Sequence, residues 1–97
     1  MKSQNQAILS IGSNQGDRLE NVQACIQLIQ LEIGTVFSVS KLYETPSWGF
    51  ESDSFYNCAI AIQTSKSAQK LLSSCLKIEK KLGRIRSLHE DYQPRII

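Results

Sequence analysis

Three arginines, Arg84, Arg86 and Arg95, stand close together near the end of the sequence, with Tyr92 among them. A guanidinium is planar and always charged, and its fork of N–H donors matches a phosphate bidentately. An aromatic ring between such groups can stack a base. The cluster therefore reads either as a grip on phosphates or as a solvated basic tail neutralised by Glu90 and Asp91. A second group surrounds Asn57. Asparagine is disfavoured inside strands, yet Asn57 falls in an alternating run with Phe55, downstream of Thr45-Pro46 and Trp48-Gly49. An amide offers two donors and one acceptor on a small plane. That suits the edge of a heteroaromatic base, and an aromatic ring can cover the base's face. The alternative is that Trp48 and Phe55 close the core while Asn57 faces solvent. Gly12-Ser13-Asn14 could offer backbone N–H groups to an anion or be a plain strand-to-helix turn. Glu79, taken alone, reads as a solvated helix residue.

Those residues need a scaffold, and its bounds follow from composition. A sequence of 97 residues suits one domain, 1–97, with a modest core. The hydrophobic fraction of 41% and charged fraction of 21% are ordinary for a globular protein. A net charge of +2 does not by itself imply nucleic acid or an anionic membrane. There is no apolar run of about 18 residues, as a membrane span requires. The apolar stretch within MKSQNQAILSIGSN is too short for a secretory signal, so the expectation is a cytoplasmic protein. Cys25, Cys58 and Cys75 include no CxxC, and His89 lies apart from them. Buried free thiols are expected, and no metal ligands.

The pattern along the chain gives five elements. Residues 6–11 suit a short strand. Leu19, Val22, Ile26, Ile29 and Ile33 recur at helical spacing, with Asp17 as N-cap, Glu20 three residues on, and Gly34 as the stop. Residues 35–43 are rich in β-branched and aromatic types and suit a strand, ended by Thr45-Pro46. Residues 44–53 are expected to form a loop. Over 54–64, Tyr56, Cys58, Ile60 and Ile62 share one bulky face, and Phe55, Asn57, Ala59, Ala61 and Gln63 the other. The first face suits cover by helices, and the second has room for a ligand. A last helix over about 66–82 carries the stripe Leu71, Cys75, Ile78 and Leu82, capped by Ser65 or Ser67 and ended by Gly83. The order β-α-β-β-α, with Ile96-Ile97 beginning another apolar segment, predicts an α+β, ferredoxin-like antiparallel sheet with two helices on one face. Its fourth strand is expected to be mostly missing, leaving the edge of strand 6–11 open to another chain.

The segments AILSIGSNQGDRLENV, SKLYETPSWGF, SFYNCAIAIQTS, LLSSCLKIEKKLGRIRS and YQPRII, in that order, resemble the N-terminal part of the 6-hydroxymethyl-7,8-dihydropterin pyrophosphokinases and cover nearly all of the sequence. The resemblance implies transfer of pyrophosphate from ATP to the hydroxymethyl group of a reduced pterin, releasing AMP, with Mg2+ assisting. By position, Thr45, Pro46 and the backbone near Trp48 match the pterin pocket, and Asn57 matches the asparagine that hydrogen-bonds the pterin. Phe55 keeps the ring of a frequent tyrosine there. Glu79 matches a glutamate on the nucleotide side. Arg84 and Arg86 match the basic start of a mobile catalytic loop, and Arg95 its closing arginine, while Tyr92 replaces a tryptophan. The Asp-x-Asp pair that holds magnesium in the family follows the position of Ile97, so no residue here is expected to bind metal. The 97-residue chain alone is expected to be inactive or nearly so. ATP and the pterin are the expected partners, with no nucleic acid and no membrane, and with a homodimer through the open strand edge. The competing expectation is a non-catalytic ferredoxin-like module for ligand binding or edge pairing. Strand 6–11 lacks the aromatics of an RNA-reading sheet.

Overall fold

The computed structural model describes residues 4–46 and 54–83. Along the chain come β1 (Asn5–Ser13), α1 (Arg18–Glu32), β2 (Thr35–Val39), β3 (Tyr43–Thr45), β4 (Phe55–Thr64) and α2 (Ala68–Lys81). Every pairing is antiparallel. β4 is central, with β1 along one side and β2 then β3 along the other. The expected α+β, ferredoxin-like arrangement is present.

Alternation along β4 sets the two faces as expected. Cys58, Ile60 and Ile62 are buried with Ile11 of β1, with Val22, Cys25 and Ile29 of α1, with Ile33 just after it, and with Ile78 of α2. Across the sheet, Ala59 and Ala61 are only half-buried, Gln63 is exposed, and Ile8 of β1, opposite Ala61, is 77% exposed. Both helices therefore cover one face and leave the other bare among the described residues.

The strand expected over 35–43 divides in two. In β2, Val36 pairs with Ile62 but Ser38 with Ala61, so Phe37 is an extra residue that bulges the strand. Ser40 then donates its backbone N–H to Ala59 O at 2.8 Å, while its side-chain Oγ, not its carbonyl, accepts the Ala59 N–H at 2.9 Å. A hydroxyl substituting for the carbonyl breaks the ladder, and pairing resumes only at Tyr43. Glu44 and Thr45 are thus strand rather than the start of the loop expected over 44–53.

α1 is capped as expected, with the Glu20 N–H donating to Asp17 Oδ1 at 3.0 Å. Its buried stripe differs. Val22, Cys25 and Ile29 face the core, Ile26 is half-buried, and Leu19 is 46% exposed. Cys25 and Ile26 are neighbours at the edges of one apolar face, so spacing alone does not say which edge turns inward. Gly34 follows the helix as expected, but for closeness of approach: a Cβ there would lie 2.2 Å from Gln63 O. α2 starts two residues later than the pattern predicts, with Ser67 Oγ accepting from Lys70 N–H at 3.3 Å. It ends before Gly83, whose φ of 100° suits glycine. Lys81 ion-pairs with Glu32, joining the C-terminal ends of the helices.

The three cysteines are free thiols; Cys25 and Cys58 are buried as expected, and Cys75 is only half-buried. Burial, followed by the nearby Cys75, Cys58 and Glu79, pushes the Cys25 thiol up to about 12. Burial also raises Cys58 and Cys75. Among the described residues β1 pairs with β4 only. The expectations for Ile96 and Ile97, and for a mostly missing last strand of the ferredoxin-like pattern, lie outside the described residues.

Candidate active site

One end of the bare sheet face collects the residues singled out around Asn57. In the register, Asn57 stands opposite Tyr43 on one side and Gly12 on the other, and Phe55 stands opposite Thr45. Partners directly opposite in an antiparallel ladder project to the same face. Phe55, Asn57, Tyr43 and Thr45 therefore share the uncovered face, and Gly12 places no side chain against Asn57. Asn57 Nδ2 donates to Thr45 Oγ1 at 2.7 Å. That bond fixes the plane of the amide and uses one of its two N–H hydrogens, so the group retains the donor and acceptor with which an amide can read a heterocycle edge.

The alternative has Trp48 and Phe55 closing the core and Asn57 facing solvent: Phe55 lies on the side of β4 away from the core, while Asn57 lies on the bare side, as both readings require. Pro46 follows β3 directly and is exposed. Gly12 and Ser13 belong to β1, and Ser13 and Asn14 are fully buried. Asn21 Nδ2 donates to Ser13 Oγ at 3.3 Å. The segment ends a strand, and the chain bends after it.

The sequence reading missed a second cluster on the helix-covered side of the same strand ends. Arg18 Nη1 donates to Ser54 O at 2.9 Å and to Ser54 Oγ at 3.1 Å, and lies 3.5 Å from Glu44 Oε2. Its guanidinium carbon is 4.0 Å from the Tyr56 ring centroid. The Ser54 hydroxyl donates to the Glu44 carboxylate. No sequence signal links Arg18 to partners 26 and more positions away; only the antiparallel return of β4 brings them together.

Glu79 does not join the Asn57 group. It follows Cys75 by one helical turn, and its charge helps to raise the Cys75 and Cys25 thiols. It therefore lies in the helical layer, across the sheet from Asn57. Trp48, Arg84, Arg86, Tyr92 and Arg95 fall outside the described residues. Among the described residues, no three His, Cys, Asp or Glu side chains gather to hold a metal ion.

The fold and the site together define an α+β protein of ferredoxin-like form that carries a polar and aromatic constellation at one end of its bare sheet face. A family model described as 7,8-dihydro-6-hydroxymethylpterin-pyrophosphokinase matches residues 8–97, and the chain belongs to that family. It is similar to the 2-amino-4-hydroxy-6-hydroxymethyldihydropteridine pyrophosphokinase of Porphyromonas gingivalis, 39% identical over 77 residues, which are 78% of this chain and 52% of that protein. The Bacillus subtilis protein of the same name is 37% identical over 86 residues, 87% of this chain and 52% of the relative. The folic acid synthesis protein fol1 of Schizosaccharomyces pombe is 39% identical over 84 residues, 84% of this chain and 12% of that protein. The chain spans about half the length of the two bacterial relatives.

Proposed function

We propose that the chain supplies pterin- and nucleotide-binding residues for pyrophosphate transfer from ATP to 6-hydroxymethyl-7,8-dihydropterin in folate biosynthesis. Family membership supports the reaction class. The observation that carries the site is the Asn57–Thr45 pair, held beside Phe55 on the bare face. A pterin has a donor and acceptor edge that an amide can match, and a flat face for Phe55. Thr45, Pro46, Trp48, Phe55 and Asn57 form the pterin side of the proposal. Glu79, Arg84, Arg86, Tyr92 and Arg95 form the nucleotide side, with Arg84, Arg86 and Arg95 gripping phosphates as charge shifts during transfer. Because AMP is the second product, the hydroxymethyl oxygen attacks the β-phosphorus and the bond to the α-phosphate breaks. Magnesium, when bound, would offset the charge of the phosphates; the described residues gather no cluster of three ligands for it.

A cytoplasmic location and a homodimer through the outer edge of β1 complete the proposal. Among the described residues that edge has no strand partner, and no helix is long and apolar enough to cross a membrane. Light scattering tests the dimer, with a monomer at all concentrations as the contrary result.

Calorimetry of the chain with 6-hydroxymethylpterin, and separately with a non-hydrolysable magnesium–ATP analogue, tests the central reading. Pterin binding that Asn57→Ala weakens supports it. Tight pterin binding indifferent to Asn57 and Phe55 would overturn the assignment of the site.

A further inference from the structure

We propose that Arg18 is a positioning residue for the site on the opposite face of the sheet, an inference that rests on the reading of Thr45, Phe55 and Asn57 as pterin contacts. Its guanidinium grips the two strand ends that carry those residues. Ser54, which takes two of its hydrogen bonds, immediately precedes Phe55. Glu44, its ion-pair partner, lies between Tyr43 and Thr45 and stands opposite Tyr56, whose ring lies under the guanidinium.

β3 needs such a hold. It is only three residues long, and all its ladder partners lie on β4. The Asn57–Thr45 bond ties it to β4 on the bare face. The Arg18–Glu44–Ser54 cluster ties it on the covered face. α1 is anchored in the core through Val22, Cys25 and Ile29, so Arg18, in its first turn, couples the strand ends to the rigid part of the molecule. The Arg18 side chain is 24% exposed and that of Glu44 58%. Solvent reaches the pair, and its effect is to fix geometry locally more than to stabilise the whole fold. Without the clasp, Thr45 can drift from Asn57 and the amide plane turns freely.

The test compares Arg18→Gln and Arg18→Lys with the parent chain by amide hydrogen exchange and by titration with 6-hydroxymethylpterin and with the ATP analogue. In Arg18→Gln, exchange at Tyr43–Thr45 and Phe55–Asn57 is expected to quicken roughly tenfold, while Val22–Ile29 stay protected. Pterin affinity is expected to fall roughly tenfold, with nucleotide affinity unchanged. Arg18→Lys should recover part of the loss, because an ammonium can reach Ser54 and Glu44 but lacks the planar fork. Unchanged exchange at the strand ends, or a uniform rise that includes the helix core, would overturn the proposal. So would normal pterin affinity in Arg18→Gln when Asn57→Ala abolishes it. If Asn57→Ala leaves pterin affinity intact, the pterin reading fails, and the exchange data still decide the role of Arg18. Should Arg18→Gln not fold, Glu44→Gln, which touches only the more exposed partner, carries the same comparison.

Discussion

Asn57 sits where strand propensity argues against it, and that conflict made it visible in the sequence. The structure supplies the reason, since the amide lies on the bare face and is held by Thr45 at 2.7 Å. Removing it leaves the core untouched. Asn57→Ala is expected to weaken pterin binding by roughly tenfold or more, in line with about 1–3 kcal/mol for hydrogen bonds lost at a site, with an almost unchanged melting temperature. Fluorescence titration and a thermal melt check both. Gly34 shows the opposite pattern. A Cβ there would press on the Gln63 carbonyl at 2.2 Å and on Thr64 Cβ at 2.9 Å, so Gly34→Ala is expected to destabilise the fold by about 1–3 kcal/mol or more, read as a lower urea midpoint. The Cys25 thiol, pushed from 9.0 up to about 12, gives a pH signature. Between those values the unfolded chain has released its proton and the folded chain still holds it. Unfolding therefore releases a proton, and stability falls as pH rises from about 9 towards 12, by up to roughly tenfold in the folding constant per unit. Cys58 and Cys75 act in the same direction. Urea titrations at a series of pH values should show this slope, and Cys25→Ala should make it shallower, leaving the part due to Cys58 and Cys75.

Elements were legible where one local rule decided them. Asp17 capping, the alternation of β4 and the α2 stripe each follow from short-range chemistry, and each is present. Asp17→Ala is expected to cost about 1 kcal/mol, and Ile78→Ala, which empties a core position contributed by α2, about 2–5 kcal/mol; chemical denaturation measures both. The misjudged elements were those in which a distant partner intervened. The strand expected over 35–43 bulges at Phe37 and breaks where the Ser40 hydroxyl takes the Ala59 N–H, and neither event has a local cue. The α1 stripe includes Cys25 rather than Leu19 because packing against the sheet chose between two edges of one apolar face. Glu79 could be placed on a helix from periodicity, but not on the side of the sheet away from Asn57.

At the scale of the molecule, the α+β order, the covered face of β4 and the family were all readable from the sequence. Hydrophobic periodicity is a local property of the chain, and the matching segments run nearly from end to end. Which residues meet was decided only by tertiary structure. The antiparallel return of β4 sets Thr45 against Asn57 on one face, and Glu44, Ser54 and Arg18 on the other. The physical reason is that periodicity assigns a residue to a face, whereas a hydrogen bond across the sheet requires a register, and bulges, side-chain bonds to the ladder and close approaches such as Gly34 against Gln63 set that register only once the chain has folded.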